Sequence, residues 1–120
     1  MDKYKSLVAW QHAHELAYRT LKALEGTSPS WTWALFDQAR RAVISAEANL
    51  VEGYALSTTP QFRRHVRIAL GSAAETQCLL QQISRLGYLP ADTATELAVR
   101  VDKLLGVLFG LNRTLSQHPD

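Results

Sequence analysis

The chain reads as an all-α protein, an antiparallel up-down-up-down four-helix bundle. Three observations predict this. Apolar side chains recur at steps of three and four in four separate segments, as on helices with one face in a core. Breaks containing Gly, Pro, Ser and Thr separate those segments. No segment alternates apolar and polar residues in the manner of a half-buried strand.

The first helix is expected over residues 6–25. Ser6 offers an N-cap hydroxyl, and Leu7, Trp10, Ala13 or His14, Ala17, Leu21 and Leu24 form its apolar stripe. Gly26 stops it, and Thr27-Ser28-Pro29-Ser30 is a loop. The second helix is expected over residues 32–56. Thr32 serves as N-cap, with Trp31 before it and Phe36 four residues in, the spacing of a hydrophobic staple. This helix carries two stripes. Leu35, Ala39, Ala42, Ala46, Asn49 and Gly53 form one, and Phe36, Val43, Leu50 and Tyr54 the other. Such a helix is expected to be covered on two sides, by its own bundle and by a neighbouring subunit.

Ser57-Thr58-Thr59-Pro60 breaks the chain, and Pro60 suits the first turn of a helix over residues 60–86. Its seam is Phe62, Val66, Ala69, Ala73, Thr76, Leu80 and Ile83, ended by Gly87. After the turn Leu89-Pro90-Ala91-Asp92, the fourth helix is expected over residues 91–116. Leu97, Val101, Leu104, Leu108, Leu111 and Leu115 alternate steps of four and three, the pattern of bundle packing. The three short breaks favour helices that neighbour each other in chain order.

All 120 residues form one domain in this reading, with 47% hydrophobic and 20% charged side chains. A chain of this size buries roughly two-thirds of its unfolded surface, enough for one core without staples. Thirteen basic against eleven acidic residues give a net charge of +2, slight for a dedicated nucleic-acid binder. The charge is unevenly spread, because residues 61–90 hold Arg63, Arg64, Arg67 and Arg85 against Glu75 alone. Cys78, the only cysteine, excludes an internal disulfide and reads as a small core residue. Met1-Asp2-Lys3-Tyr4-Lys5 lacks the apolar run of a signal peptide. No apolar run approaches the ~18 residues of a membrane span. A cytoplasmic protein without a membrane partner is expected.

One polar pattern breaks the plain amphipathic plan. Gln38, Arg41, Ser45, Asn49 and Glu52 share a face of the second helix, and Arg67, Ser72 and Glu75 lie in similar register on the third. Facing each other, they would form a buried network of charge-assisted hydrogen bonds; a solvated polar face is the alternative. Ala42, Ala46, Ala48, Gly71, Ala73 and Ala74 would let the two helices approach closely.

These residues carry a resemblance. Gln38-Ala39-Arg40-Arg41-Ala42-Val43-Ile44-Ser45 followed by Ala48-Asn49-Leu50-Val51-Glu52-Gly53-Tyr54 resembles the Q-x-R-R-A-x-x-S-x-x-x-N-x-x-E-G segment of the family named for proteins encoded in 23S ribosomal RNA intervening sequences. Phe62 to Glu75 resembles its F-x-x-x-L-x-x-A-x-G-S-x-x-E segment, and Leu7-Val8-Ala9-Trp10-Gln11 and Leu86-Gly87-Tyr88 match as well. Two positions depart. Glu47 stands where proline is frequent, implying a straighter second helix, and Leu70 stands where an arginine usually precedes Gly-Ser. The resemblance implies an up-down bundle assembled as a homo-oligomer, a five-fold ring. Accessory proteins of diversity-generating retroelements, related to the family, share the ring and bind nucleic acid through a basic surface.

The chemistry classes thin out quickly. Bundle di-metal sites use Glu-x-x-His pairs, and this chain has only the reverse order in His12-Ala13-His14-Glu15, with His12 and His14 on different helix faces. Glu52 and Glu75 could converge as a carboxylate pair, but Arg41 and Arg67 offer them salt-bridge partners. Ser45 and Ser72 have no histidine placed by spacing to activate them. No glycine-rich phosphate loop is present, and Gly106 with Gly110 signals close helix packing. No catalytic residue, metal or cofactor is expected. The expected role is a non-enzymatic scaffold or adaptor that assembles with itself. The alternative is an RNA- or DNA-binding accessory protein using Arg40, Arg63, Arg64 and Arg67, with symmetry multiplying a weak, salt-sensitive contact.

Overall fold

A computed structural model describes residues 3–26, 29–56 and 58–117; Thr27 and Ser28 of the first expected loop and Ser57 of the second break lie outside them. The described chain holds four α-helices and no strand: α1 Val8–Ala23, α2 Trp33–Ala55, α3 Thr59–Arg85 and α4 Ala91–Ser116. α2 packs on α3, α3 on α4, and α1 on both α2 and α4. The long axis of the molecule measures 48 Å and the cross-section 24 by 21 Å.

Helix ends follow local chemistry, with some departures from expectation. Ser6 does not cap α1. It closes a 3-10 turn over Lys3–Ser6 by donating to Lys3 O, and α1 begins two residues later. α1 ends at Ala23, and Gly26 takes φ +105° in the connection beyond, a conformation that favours glycine. Thr32 precedes α2, but its backbone is already helical and its hydroxyl donates to Pro29 O at 2.7 Å. Trp31 is 73% exposed, so the expected staple with Phe36 does not form. Phe36 instead meets Tyr88 edge-on at 6.3 Å. Thr58 caps α3 by accepting from Gln61 N, with Pro60 in the first turn. At the far end Gly87, at φ +77°, donates to Ser84 O while Tyr88 N donates to Ile83 O. That pair of bonds is a Schellman ending, which requires a left-handed residue at Gly87.

The core comes from all four helices. Val66, Ala69, Ala73, Thr76, Leu80 and Ile83 of α3 are buried, and so are Leu97, Val101, Leu104, Leu105 and Leu108 of α4. Each fully buried leucine contributes about 1.5–3 kcal/mol. Both stripes of α2 are used inside the same chain, because Ala39, Ala42, Ala46 and Gly53 are buried together with Phe36, Val43 and Leu50. α1 presents Ala9, Ala13, Leu16, Ala17 and Thr20, a face rotated slightly from the expected one, with Trp10 at its edge. Cys78 is exposed rather than in the core; the buried positions are Thr76 and Leu80, two residues to either side. A Cβ at Gly106 or Gly110 would meet nothing within 4 Å, so this part of α4 faces open space instead of a packed helix.

One glycine decides how α2 and α3 meet. A Cβ built on the buried Gly53 would lie 2.5 Å from His65 Cβ and 3.3 Å from the Phe62 ring. The clash is with a Cβ, which cannot move without its backbone, so Gly53 is what permits the close approach. Replacing Gly53 with alanine is expected to destabilise the fold by about 1–3 kcal/mol. Gly71→Ala sits at an exposed mid-helix position with open space around it and is expected to stabilise by up to about 1 kcal/mol. Urea denaturation of the two variants should therefore shift in opposite directions.

Candidate functional site

The polar residues of α2 and α3 build three rungs across the gap that Gly53 allows. Gln38 Nε2 donates to Glu75 Oε2 at 2.7 Å, Ser45 Oγ meets Ser72 Oγ at 2.8 Å, and His65 Nδ1 donates to Asn49 Oδ1 at 2.9 Å. Partner numbers fall along α3 as they rise along α2. Asn49 also ties the rungs lengthwise, donating to Ser45 O at 2.9 Å and Ser45 Oγ at 3.2 Å. Serine is the shortest hydroxyl donor, so the central rung requires backbones held close together. Thr76, below it in the core, donates to Ser72 O.

The ladder is narrower and wetter than the sequence implies. Ser45, Asn49, Ser72 and His65 are half-buried, while Gln38 and Glu75 are exposed. Arg41 does not cross to α3. It pairs with Asp37 one turn back on its own helix at 2.8 Å, and that bond raises the Arg41 pKa. Glu52 and Arg67 are exposed and form no ion pair among the described residues, and Glu75 bonds Gln38 at the end of the ladder away from Glu52. His65 is the member that sequence reading missed. It lies seven residues before Ser72, two turns along the same face, and that spacing was the available signal.

A second polar cluster joins α1 to α2. Trp10 Nε1 and His14 Nδ1 both donate to Glu47 Oε2, at 3.1 and 2.6 Å, and their rings stack at 4.5 Å. Glu47, the residue in place of the frequent proline, thus holds α1 against an uninterrupted α2. His12 faces the other way, toward α4. On that side Arg19 bonds Glu15 and Glu96, each at 2.7 Å, and Arg100 approaches Glu96 at 3.4 Å. The Arg19 bond holds the Glu96 carboxyl below its ordinary range. Its stabilisation is therefore present above the ordinary carboxylate pKa and is lost as pH falls through the lowered one. These side chains keep 34–46% of their surface in solvent, so the effect is small.

The arginines proposed for nucleic acid do not share one surface. Arg40 Nη2 donates to Leu24 O at 2.8 Å, closing the C-terminal end of α1, and its guanidinium lies over the Phe36 ring. Arg63, Arg64 and Arg67 instead line a shallow depression of about 410 Å³ on the first turns of α3, with Pro60 and Ile68. Leu70, in place of the expected arginine, packs against the core. Among the described residues no three His, Cys, Asp or Glu side chains gather as metal ligands would. Ser45 and Ser72 bond each other, Asn49 donates to Ser45, and among the described residues neither serine bonds a histidine. No helix among the described residues is long and apolar enough to cross a membrane.

The ladder and the four helices together define the class of protein. The chain belongs to the 23S rRNA-intervening sequence protein family, which it matches over residues 5–110. A crystal structure of a protein of unknown function from the S23 ribosomal protein family of Bacteroides thetaiotaomicron VPI-5482 superposes with a TM-score of 0.80. The two are 20% identical over 88% of this chain and 96% of that one, a likeness of fold. No curated protein matches the chain. Neither match indicates an enzymatic activity.

A double-mutant cycle tests the central rung. Ser45→Ala and Ser72→Ala are each expected to cost about 1 kcal/mol. Their combination should cost less than the sum, because each single change strands the other hydroxyl. Additive losses in chemical denaturation would mean the two serines act independently.

Proposed function

We propose that this protein is a non-enzymatic, homo-oligomeric scaffold or adaptor built on an up-down-up-down bundle, with a five-fold ring as its assembly. The observation that carries this reading is the apolar surface left over once the core is filled. Trp31 and Trp33 are 73% and 64% exposed at the start of α2. Tyr18, Leu86, Val99 and Phe109 are also more than half exposed. Exposed tryptophans are costly in a monomer and typical of an interface centre. The descending pairs of the α2–α3 ladder support the antiparallel arrangement. The polar groups a catalytic site would need are instead spent on one another, in the ladder and in the Trp10–His14–Glu47 cluster. A single exposed cysteine suits a reducing cytoplasm. Light scattering at micromolar concentration is expected to report an assembly of several 13.4 kDa chains; a stable monomer overturns the reading.

A second reading, nucleic-acid binding, is favoured by one specific observation. Arg63, Arg64 and Arg67 converge on one depression, and an assembly would repeat it around its axis. Phosphate contacts of this kind weaken steeply with salt. In a filter-binding titration at low salt, Arg63→Glu with Arg64→Glu is expected to reduce affinity at least tenfold. No binding by the unaltered protein, or equal binding by the variant, rules this reading out.

A further inference from the structure

One opening in the bundle has no occupant from its own chain. Between the second half of α3 and the first half of α4 runs a groove of about 310 Å³. Its floor is the core pair Leu80 and Val101, Ala94 and Ala98 form the α4 wall, and Gln81 and Arg85 stand on the α3 rim. The groove exists because alanines one turn apart on α4 are too short to reach across to α3. It is an apolar socket with polar and cationic edges.

The matching projection lies elsewhere on the surface. Trp31 and Trp33 stand out from the start of α2, and among the described residues α2 makes no contact with α4. The tryptophans do not line the α3–α4 groove of their own chain. We propose that this groove receives the Trp31–Trp33 corner of a second copy of the chain, an inference that rests on the self-association reading above. Exposure of the tryptophans and openness of the groove then have one common explanation.

The chemistry of the two surfaces is complementary. An indole buries an apolar body while its N–H needs an acceptor, and the Gln81 amide oxygen offers one at the rim. The Arg85 guanidinium supplies a cation for the electron-rich ring face. Two indoles bury about 300–500 Å² between them, short of the roughly 800 Å² per partner of a stable complex. A single contact of this kind is weak. In the proposed assembly projection and socket are different patches, and the contact runs head-to-tail from copy to copy until the ring closes. In a closed ring each copy both gives and receives, and the weak contacts reinforce one another.

The test uses two complementary variants of the whole chain. Trp31→Ser with Trp33→Ser removes the projection, and Ala98→Arg blocks the socket at an exposed position. Ala94→Lys serves as a second socket block should Ala98→Arg lose its helical circular dichroism. Each variant alone is expected to run as a 13.4 kDa monomer with unchanged circular dichroism. Mixed together they should form a one-to-one heterodimer and nothing larger, since each retains one working surface. An unaltered protein that assembles while either variant keeps its full mass overturns the groove assignment and leaves self-association standing. A two-fold dimer in place of a larger assembly overturns the head-to-tail geometry. A monomeric unaltered protein overturns self-association itself, and this inference with it.

Discussion

The close approach of α2 and α3 at Gly53 organises this molecule. Where a Cβ at Gly53 would strike His65 Cβ, the two backbones come near enough for short side chains to bridge them. Ser45 and Ser72 can then meet oxygen to oxygen, and His65 can reach Asn49. These pairs set the register of one helix on the other, because a slip by one turn would strand each donor. With register set, the apolar seams of both helices face the same interior. Tyr54 packs edge-on against Phe62 at the end of the same contact. The energy of the fold comes mainly from buried leucines, valines and isoleucine; the polar ladder selects which packing those side chains adopt.

The other helices close over this pair by different means. α1 is small on its inner face, with Ala9, Ala13 and Ala17 buried, so it lies near α2 and is clasped by Glu47 and Arg40 at two levels. Arg40 shows how one residue is drawn into structure. Its charge sits against the carbonyl end of α1, where a cation is favoured, and its guanidinium is spent on α1. The exposed Arg19, Glu96 and Arg100 group fastens α1 to α4 more loosely, in high dielectric where ion pairs are worth little.

What remains for function is surface. Gln38, Ser45, Asn49, His65, Ser72 and Glu75 bond one another in the ladder, and the depression on α3 and the groove between α3 and α4 lie outside it. This distribution accords with a family whose members are defined by sequence and fold, and whose matched structure is described as of unknown function. The tryptophans at the start of α2 and the arginines at the start of α3 are the two parts of this surface on which the proposed roles rest.

The existence of four helices, and the seams of α3 and α4, were legible in the sequence. Periodicity alone determines them: residues at steps of three and four must share a face whatever lies opposite. Gly87 and Pro60 were legible for the same local reason, since backbone conformation at each depends on the residue itself. Faces that lie between seams were not. Cys78 is two residues from either core neighbour, on the side of α3 away from its seam, and is exposed. Arg41 pairs with Asp37 one turn back on its own helix and not with Glu52 or Glu75, which the polar stripe had suggested. The spacing of His65 from Ser72 gave its face, but the partners of His65 and Glu47 lie 16 and 33–37 residues away in sequence, on other helices whose register spacing does not give. The sequence by itself determined the helices, their core seams and the family. Which polar groups meet, and which apolar ones are left facing outward, was decided only by the tertiary structure, because those outcomes depend on how closely and in what register whole helices pack.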